Sequence, residues 1–152
     1  MPQLPSDCLN DIFDYLKNDM VALRSCLLVN RLWCEVSVRI IWRDTCNYSN
    51  SSYRTLIAYL PRESKDILYK NGIIISTPTS KFPIFNYASF CKVLSINRVH
   101  CKIEEFLKNE QPISLQIYNN NNTHIAVQEI CRMLMNQNSS LKGLIFFEFL
   151  VN

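Results

Sequence analysis

Three times within its first 42 residues the chain sets a helix-capping signal in front of an apolar stripe of helical period. That pattern, more than any other, limits the folds open to it. Leu4-Pro5-Ser6-Asp7 opens the first helix: proline at a helix start loses nothing by its fixed φ and missing N–H, and acidic groups favour the positive end of the helix dipole. Cys8, Leu9, Ile12, Phe13 and Leu16 then form one stripe, and Asp7, Asn10, Asp11 and Asp14 take the other face, which predicts an amphipathic helix of about three turns. Asn18 or Asp19 caps a second helix from Met20, in which Leu23, Cys26, Leu27, Leu28 and Val29 leave little polar surface besides Arg24 and Ser25. Such a helix has to be covered nearly all round. Asn30 caps a third helix carrying Leu32, Trp33, Val36, Ile40, Ile41 and Trp42, with Arg31, Glu35 and Arg39 between them. Val38, Ile40 and Ile41 add apolar surface on its outer side, so it is expected to pack on the helices that follow and make the linker rigid.

Beyond residue 46 the pattern loosens. Asn47 to Ser52 reads as a loop, Tyr53 to Leu60 and Ser64 to Lys70 as short helices divided by Pro61, and Asn71-Gly72 as a left-handed cap. Ile73 to Ser76 suggests a short strand, with an irregular connection around Pro78 and Pro83. Phe90 to Ile96 is strand-like, Val99 to Lys108 helical, and Ile113 to Tyr118 alternates as a strand. The tract Asn119 to Asn122 reads as a polar loop, Thr123 as the cap of a helix from His124 to Gln137, and Leu141 to Phe149 as a final strand. Phe90-Cys-Lys-Val-Leu94-Ser-Ile96 and Leu141-Lys-Gly-Leu144-Ile-Phe146 share one apolar spacing, which hints at a degenerate strand-and-helix repeat. Because a repeat cannot bury its apolar face without a neighbour, the chain is expected to be truncated, with Leu144 to Val151 an unprotected edge open to pairing or aggregation.

Composition closes several routes to function. With 48% apolar and 19% charged residues and a formal net charge of +3, the 152-residue chain is an ordinary globular protein. Its charges are scattered rather than gathered in a stripe, so nucleic acid is not expected as a partner. Only Gly72 and Gly143 occur, so phosphate-cradling glycine loops are absent and no nucleotide cofactor is expected. The longest apolar run falls far below the roughly 20 residues of a membrane-spanning helix, so no membrane association is expected. Seven cysteines, odd in number and without a C-x-x-C pair, read as reduced core thiols. Together with the lack of a secretory leader, they point to the cytoplasm or nucleus.

The residues Leu4-Pro5, Leu9, Ile12-Phe13-Asp-Tyr15-Leu16, Leu23-Arg-Ser-Cys-Leu27-Leu-Val29-Asn-Arg31-Leu-Trp33 and Ile41-Trp42 stand in the order and spacing of an F-box, which this segment resembles. The rest resembles the approach to a leucine-rich-repeat array of the kind found in fungal F-box families. The resemblance implies a mainly α, α+β chain: an F-box over 1–46, a helical linker and irregular connection over 47–85, and a partial leucine-rich-repeat-like segment over 86–152. It implies an adaptor that docks on the Skp subunit of an SCF-type cullin ubiquitin ligase and presents an unknown protein substrate, with no chemistry of its own. Carried over by position, Leu4 and Pro5 would pack on the adaptor as the chain enters its first helix. Leu9, Ile12, Phe13 and Leu16 would do so from the first helix, Leu23, Leu27 and Val29 from the second, and Trp33 matches the family's tryptophan. Met20 replaces a frequent leucine, a change that conserves volume. The alternative is a module outside the ubiquitin system, one that self-associates or occupies the adaptor as a decoy without delivering a substrate.

Each of these residues also has a plainer reading. For Leu9, Ile12, Leu23 and Leu27, packing within the helix trio competes with adaptor contact, and the stripe does not separate the two. Trp33 and Trp42 read as core anchors. His100-Cys101 point about 100° apart on a helix and have no third ligand at the right spacing, so neither a metal site nor a nucleophile is expected. His124 reads as solvated. Glu104 and Glu105, with Lys102 and Lys108, make a solvated ion-paired face rather than a catalytic pair.

Overall fold

The computed structural model describes residues 4–76, 83–110, 120–138 and 141–145. Among these the chain is mainly α with a little β: seven helices and one two-stranded sheet. The expected strand at Ile113 to Tyr118 and the end of the final strand, beyond Ile145, lie outside the described residues.

The first three helices form where the capping signals put them. α1 (Ser6–Tyr15) starts directly after Pro5, whose carbonyl accepts the Leu9 N–H at 3.1 Å. α2 (Met20–Cys26) is capped by Asp19, which accepts the Ala22 N–H at 2.9 Å, and α3 (Arg31–Ile41) by Asn30, which accepts the Trp33 N–H at 2.9 Å. α2 ends at Cys26, so Leu27 to Val29 form a turn rather than a further helical turn. Both α1 and α2 pack on α3, whose Val36, Val38, Ile40 and Ile41 are buried.

The chain then winds in two similar turns. A 3-10 turn (Thr45–Asn47) is capped by Asp44, and α4 (Asn50–Tyr59) begins inside the Asn/Ser tract that composition reads as a loop. The reason is local: the Ser49 N–H donates to Ser52 Oγ at 3.2 Å, so serines that favour loops here satisfy a helix end. α5 (Arg62–Lys70) starts after Pro61 and closes on Gly72 at φ +73°. The Ile73 N–H reaches the Leu68 carbonyl and the Gly72 N–H the Tyr69 carbonyl, both at 3.0 Å, which is the paired closure that a left-handed glycine permits. Ile73 to Ser76 is not a strand, because its backbone joins no ladder. After a second 3-10 turn (Tyr87–Phe90) come β1 (Val93–Ser95), α6 (Ile96–Glu110), α7 (Asn120–Asn136) and β2 (Gly143–Ile145). Thus the strand read over Phe90 to Ile96 shrinks to three residues, and α6 begins three residues earlier than the periodicity of Val99 to Lys108 predicts.

β1 and β2 pair in parallel with Val93 opposite Gly143, so the two runs of matching sequence do lie side by side. A third rung comes from the end of the helix trio, where Asp44 bridges Val93, also in parallel. One hydrogen-bond pattern recurs: the Arg43 carbonyl accepts from the N–H groups of Lys92 (2.6 Å) and Val93 (3.0 Å), and the Lys92 carbonyl from those of Lys142 (2.8 Å) and Gly143 (3.0 Å). Each unit is a ladder segment followed by two helices: the Asp44 bridge before α4 and α5, and β1 before α6 and α7. α4 packs on α6 and α5 on α7, so each helix of the first turn lies against its counterpart in the second. The period is about 50 residues, twice that of a leucine-rich repeat of roughly 20–29. The buried apolar residues, from Leu9 to Leu134, form a single cluster.

Candidate docking surface

The first three helices divide their apolar residues between that cluster and solvent. Leu9, Phe13 and Leu23 are sealed inside, at 1%, 1% and 0% exposure, so three of the predicted contact residues lie within the internal core. Leu16 and Leu27 are partly buried and packed against the core. Trp33 is likewise half-buried, set edge-on to Phe13 with ring centroids 5.1 Å apart. Leu4, Pro5, Ile12 and Val29 face outward.

Three further side chains join them that the resemblance does not single out as contacts: Tyr15, Val21 and Leu28, at 91%, 75% and 88% exposure. Six of the eleven large apolar side chains exposed among the described residues therefore fall within Leu4 to Val29. Ile12 and Tyr15 share a face of α1 by their i,i+3 spacing, while Val21 stands on α2 and Leu28 on the turn that follows it. The second helix, too apolar to be left bare, is covered by its own chain only on the Leu23–Cys26 side. These exposed apolar side chains share the segment with the exposed Asp7, Asp11, Asp19 and Arg24, a mixture of apolar and charged groups that suits a protein-binding surface. The one available sequence signal was the composition of α2, which has apolar residues on more faces than one neighbour can cover.

The remaining reactive side chains do not converge. Among the described residues, no group of three or more His, Cys, Asp or Glu stands close enough to hold a metal ion, and no helix is long and apolar enough to cross a membrane. Cysteines divide against expectation: Cys26, Cys91 and Cys131 are buried, but Cys8, Cys46 and Cys101 are exposed and Cys34 lies between. Cys8 sits in an apolar run, yet it points off the buried side of α1. Burial pushes the thiols of Cys91 and Cys131 up to about 11, so neither is a nucleophile at neutral pH. Burial likewise raises the Tyr48 and Tyr53 phenols well above their usual range. Glu104 is held at 2.8 Å by Lys108 and Glu105 at 2.7 Å by Lys102, and these partners lower both carboxyls. His124, though exposed, lies with its ring centroid 5.0 Å from that of His100 across α6 and α7.

Residues 1–48 match the family model of F-box-like domains. No curated protein and no solved structure matches the chain.

Proposed function

Starting from an F-box-like domain at residues 1–48, we propose that this protein is an adaptor that docks on the Skp subunit of an SCF-type cullin ubiquitin ligase. The observation that carries the proposal is the solvent-facing set Leu4, Ile12, Tyr15, Val21, Leu28 and Val29, left over after the helix trio has filled its own core. F-box domains generally bind Skp, and an apolar patch on short helices is the chemistry such docking uses. On this reading the strand-and-helix turns that follow hold an unidentified protein substrate, as leucine-rich repeats do in related adaptors. The chain itself performs no bond-making step, needs no cofactor, and works in the cytoplasm or nucleus away from nucleic acid and membrane.

Co-expression of the whole chain with the Skp adaptor, followed by size-exclusion chromatography, tests this. The expected result is a 1:1 complex that is lost in Val21→Asp plus Leu28→Asp, while the variant alone keeps its melting temperature. Soluble wild-type protein that never co-elutes would overturn the proposal. The same patch would then fit a second copy of the chain, and a homodimer dissociated by the same double substitution would mark that outcome.

A further inference from the structure

The chain has two histidines in 152 residues, and the fold brings them together. His100 lies on α6 and His124 on α7, with ring centroids 5.0 Å apart and ring planes tilted by 55°. Neither ring belongs to the core: His124 is exposed and His100 half-exposed, whereas Val99 and Ile103 of α6 and Val127 and Ile130 of α7 are buried. The pair therefore meets at the surface of two packed helices, open to a solute.

Imidazole nitrogen is the commonest metal ligand among side chains, and two imidazoles that reach one ion from separate helices make a chelate. The spacing fits. With metal–nitrogen bonds of about 2 Å at a tetrahedral angle, two ring centroids stand roughly 5 Å apart, and rotation about those bonds leaves the tilt of the rings free. Glu104, one helical turn on from His100, is held at 2.8 Å by Lys108, and among the described residues no group of three His, Cys, Asp or Glu comes together, so water completes the coordination. Cys101 adjoins His100 but points about 100° round the helix from it. Nitrogen donors decide the class of ion: Mg2+ and Ca2+ take oxygen ligands, whereas Zn2+, Ni2+ and Cu2+ take imidazole. We propose that His100 and His124 form a two-histidine site for a divalent transition-metal ion, exchangeable with solvent, that ties α6 to α7. The proposal goes beyond the adaptor reading and does not depend on it.

The test is a titration of zinc chloride into the whole chain, its histidines labelled with nitrogen-15, followed by nuclear magnetic resonance. The chain carries Cys8→Ser, Cys46→Ser and Cys101→Ser, so that the exposed thiols do not compete for the ion. With two histidines in the sequence, each ring gives its own signals. Both rings should shift together and saturate at one zinc per chain, and magnesium chloride at the same concentration should shift neither. His100→Gln and His124→Gln should each weaken zinc binding, read by calorimetry, at least about tenfold, the loss that follows even from removing an outer partner of a metal ligand. A shift of one ring alone, or unchanged affinity in either variant, would reduce the binding to a lone imidazole or a remaining thiol and overturn the proposal. So would magnesium shifts equal to those of zinc. Should a glutamine variant disturb the fold, the joint shift of the two rings in the chain that keeps both histidines decides by itself. Because no adaptor takes part, failure here leaves the co-elution result standing.

Discussion

Leu9 and Leu28 are the same residue type in the same apolar pattern, yet one is sealed in the core and the other bare. Their substitutions should separate cleanly. Leu9→Ala or Phe13→Ala removes fully buried volume and should lower stability by about 2–5 kcal/mol, read from urea midpoints, whereas Leu28→Asp should change stability by less than about 0.5 kcal/mol. A Leu28→Asp variant that unfolds would mean that this side chain is covered by its own chain after all. Periodicity alone could not make the distinction: it says which residues share a stripe, not whether the neighbour that covers the stripe belongs to the same chain. Cysteines pose the same problem at smaller size. Treated with a thiol reagent in the native state, Cys8, Cys46 and Cys101 should react within minutes, and Cys26, Cys91 and Cys131 only on unfolding. Rapid native labelling of Cys91 would contradict its burial.

Elements were legible where local chemistry and packing agree. The caps Asp19 and Asn30 and the closing glycine Gly72 appear in the sequence as residue types with one favoured role, and each performs it. α7 shows the opposite case. An asparagine run reads as a loop because asparagine is a weak helix former, yet the helix starts at Asn120, since burial of Ala126, Val127, Ile130 and Leu134 outweighs a few tenths of a kcal/mol per residue. The ladder was half legible: matching runs predicted two strands, but nothing in Trp42-Arg43-Asp44 announces a third rung. That rung is locked by Thr45, fully buried, whose Oγ1 accepts the Ser95 N–H at 2.9 Å. Thr45→Val keeps the shape and strands a buried donor, so it should cost about 1–3 kcal/mol. Hydrogen exchange should then speed at Ser95 and its strand neighbours while the capped α2 and α3 amides stay as they were. Uniform acceleration over the whole chain would show that the ladder has no separate opening.

Across the whole molecule one cluster of buried residues joins the helix trio to both turns of strand and helices, so the chain should unfold as a unit. Alkaline titration tests this because the groups concerned are spread along it. Tyr48 packs against Trp42 near the helix trio, ring centroids 4.9 Å apart, Cys91 precedes β1, and Cys131 lies on α7. Burial raises the folded pKa of each, so the folded state favours the neutral form and the unfolded chain ionises first. The stability from each thiol is therefore fully present below its ordinary pKa near 9 and is lost as pH rises through about 11, with each thiol contributing at most about 2–3 kcal/mol. Urea midpoints should hold up to about pH 8 and fall steeply by about pH 10.5, and Cys91→Ala should flatten that fall. Tryptophan fluorescence, which reports the trio through Trp33 and Trp42, should follow the same curve as the far-ultraviolet helix signal at every pH. If fluorescence held while helix signal was lost, the trio would be folding independently of the turns behind it. The coupling through the Arg43 carbonyl and the Asp44–Val93 bridge would then be too weak to join the trio to the ladder.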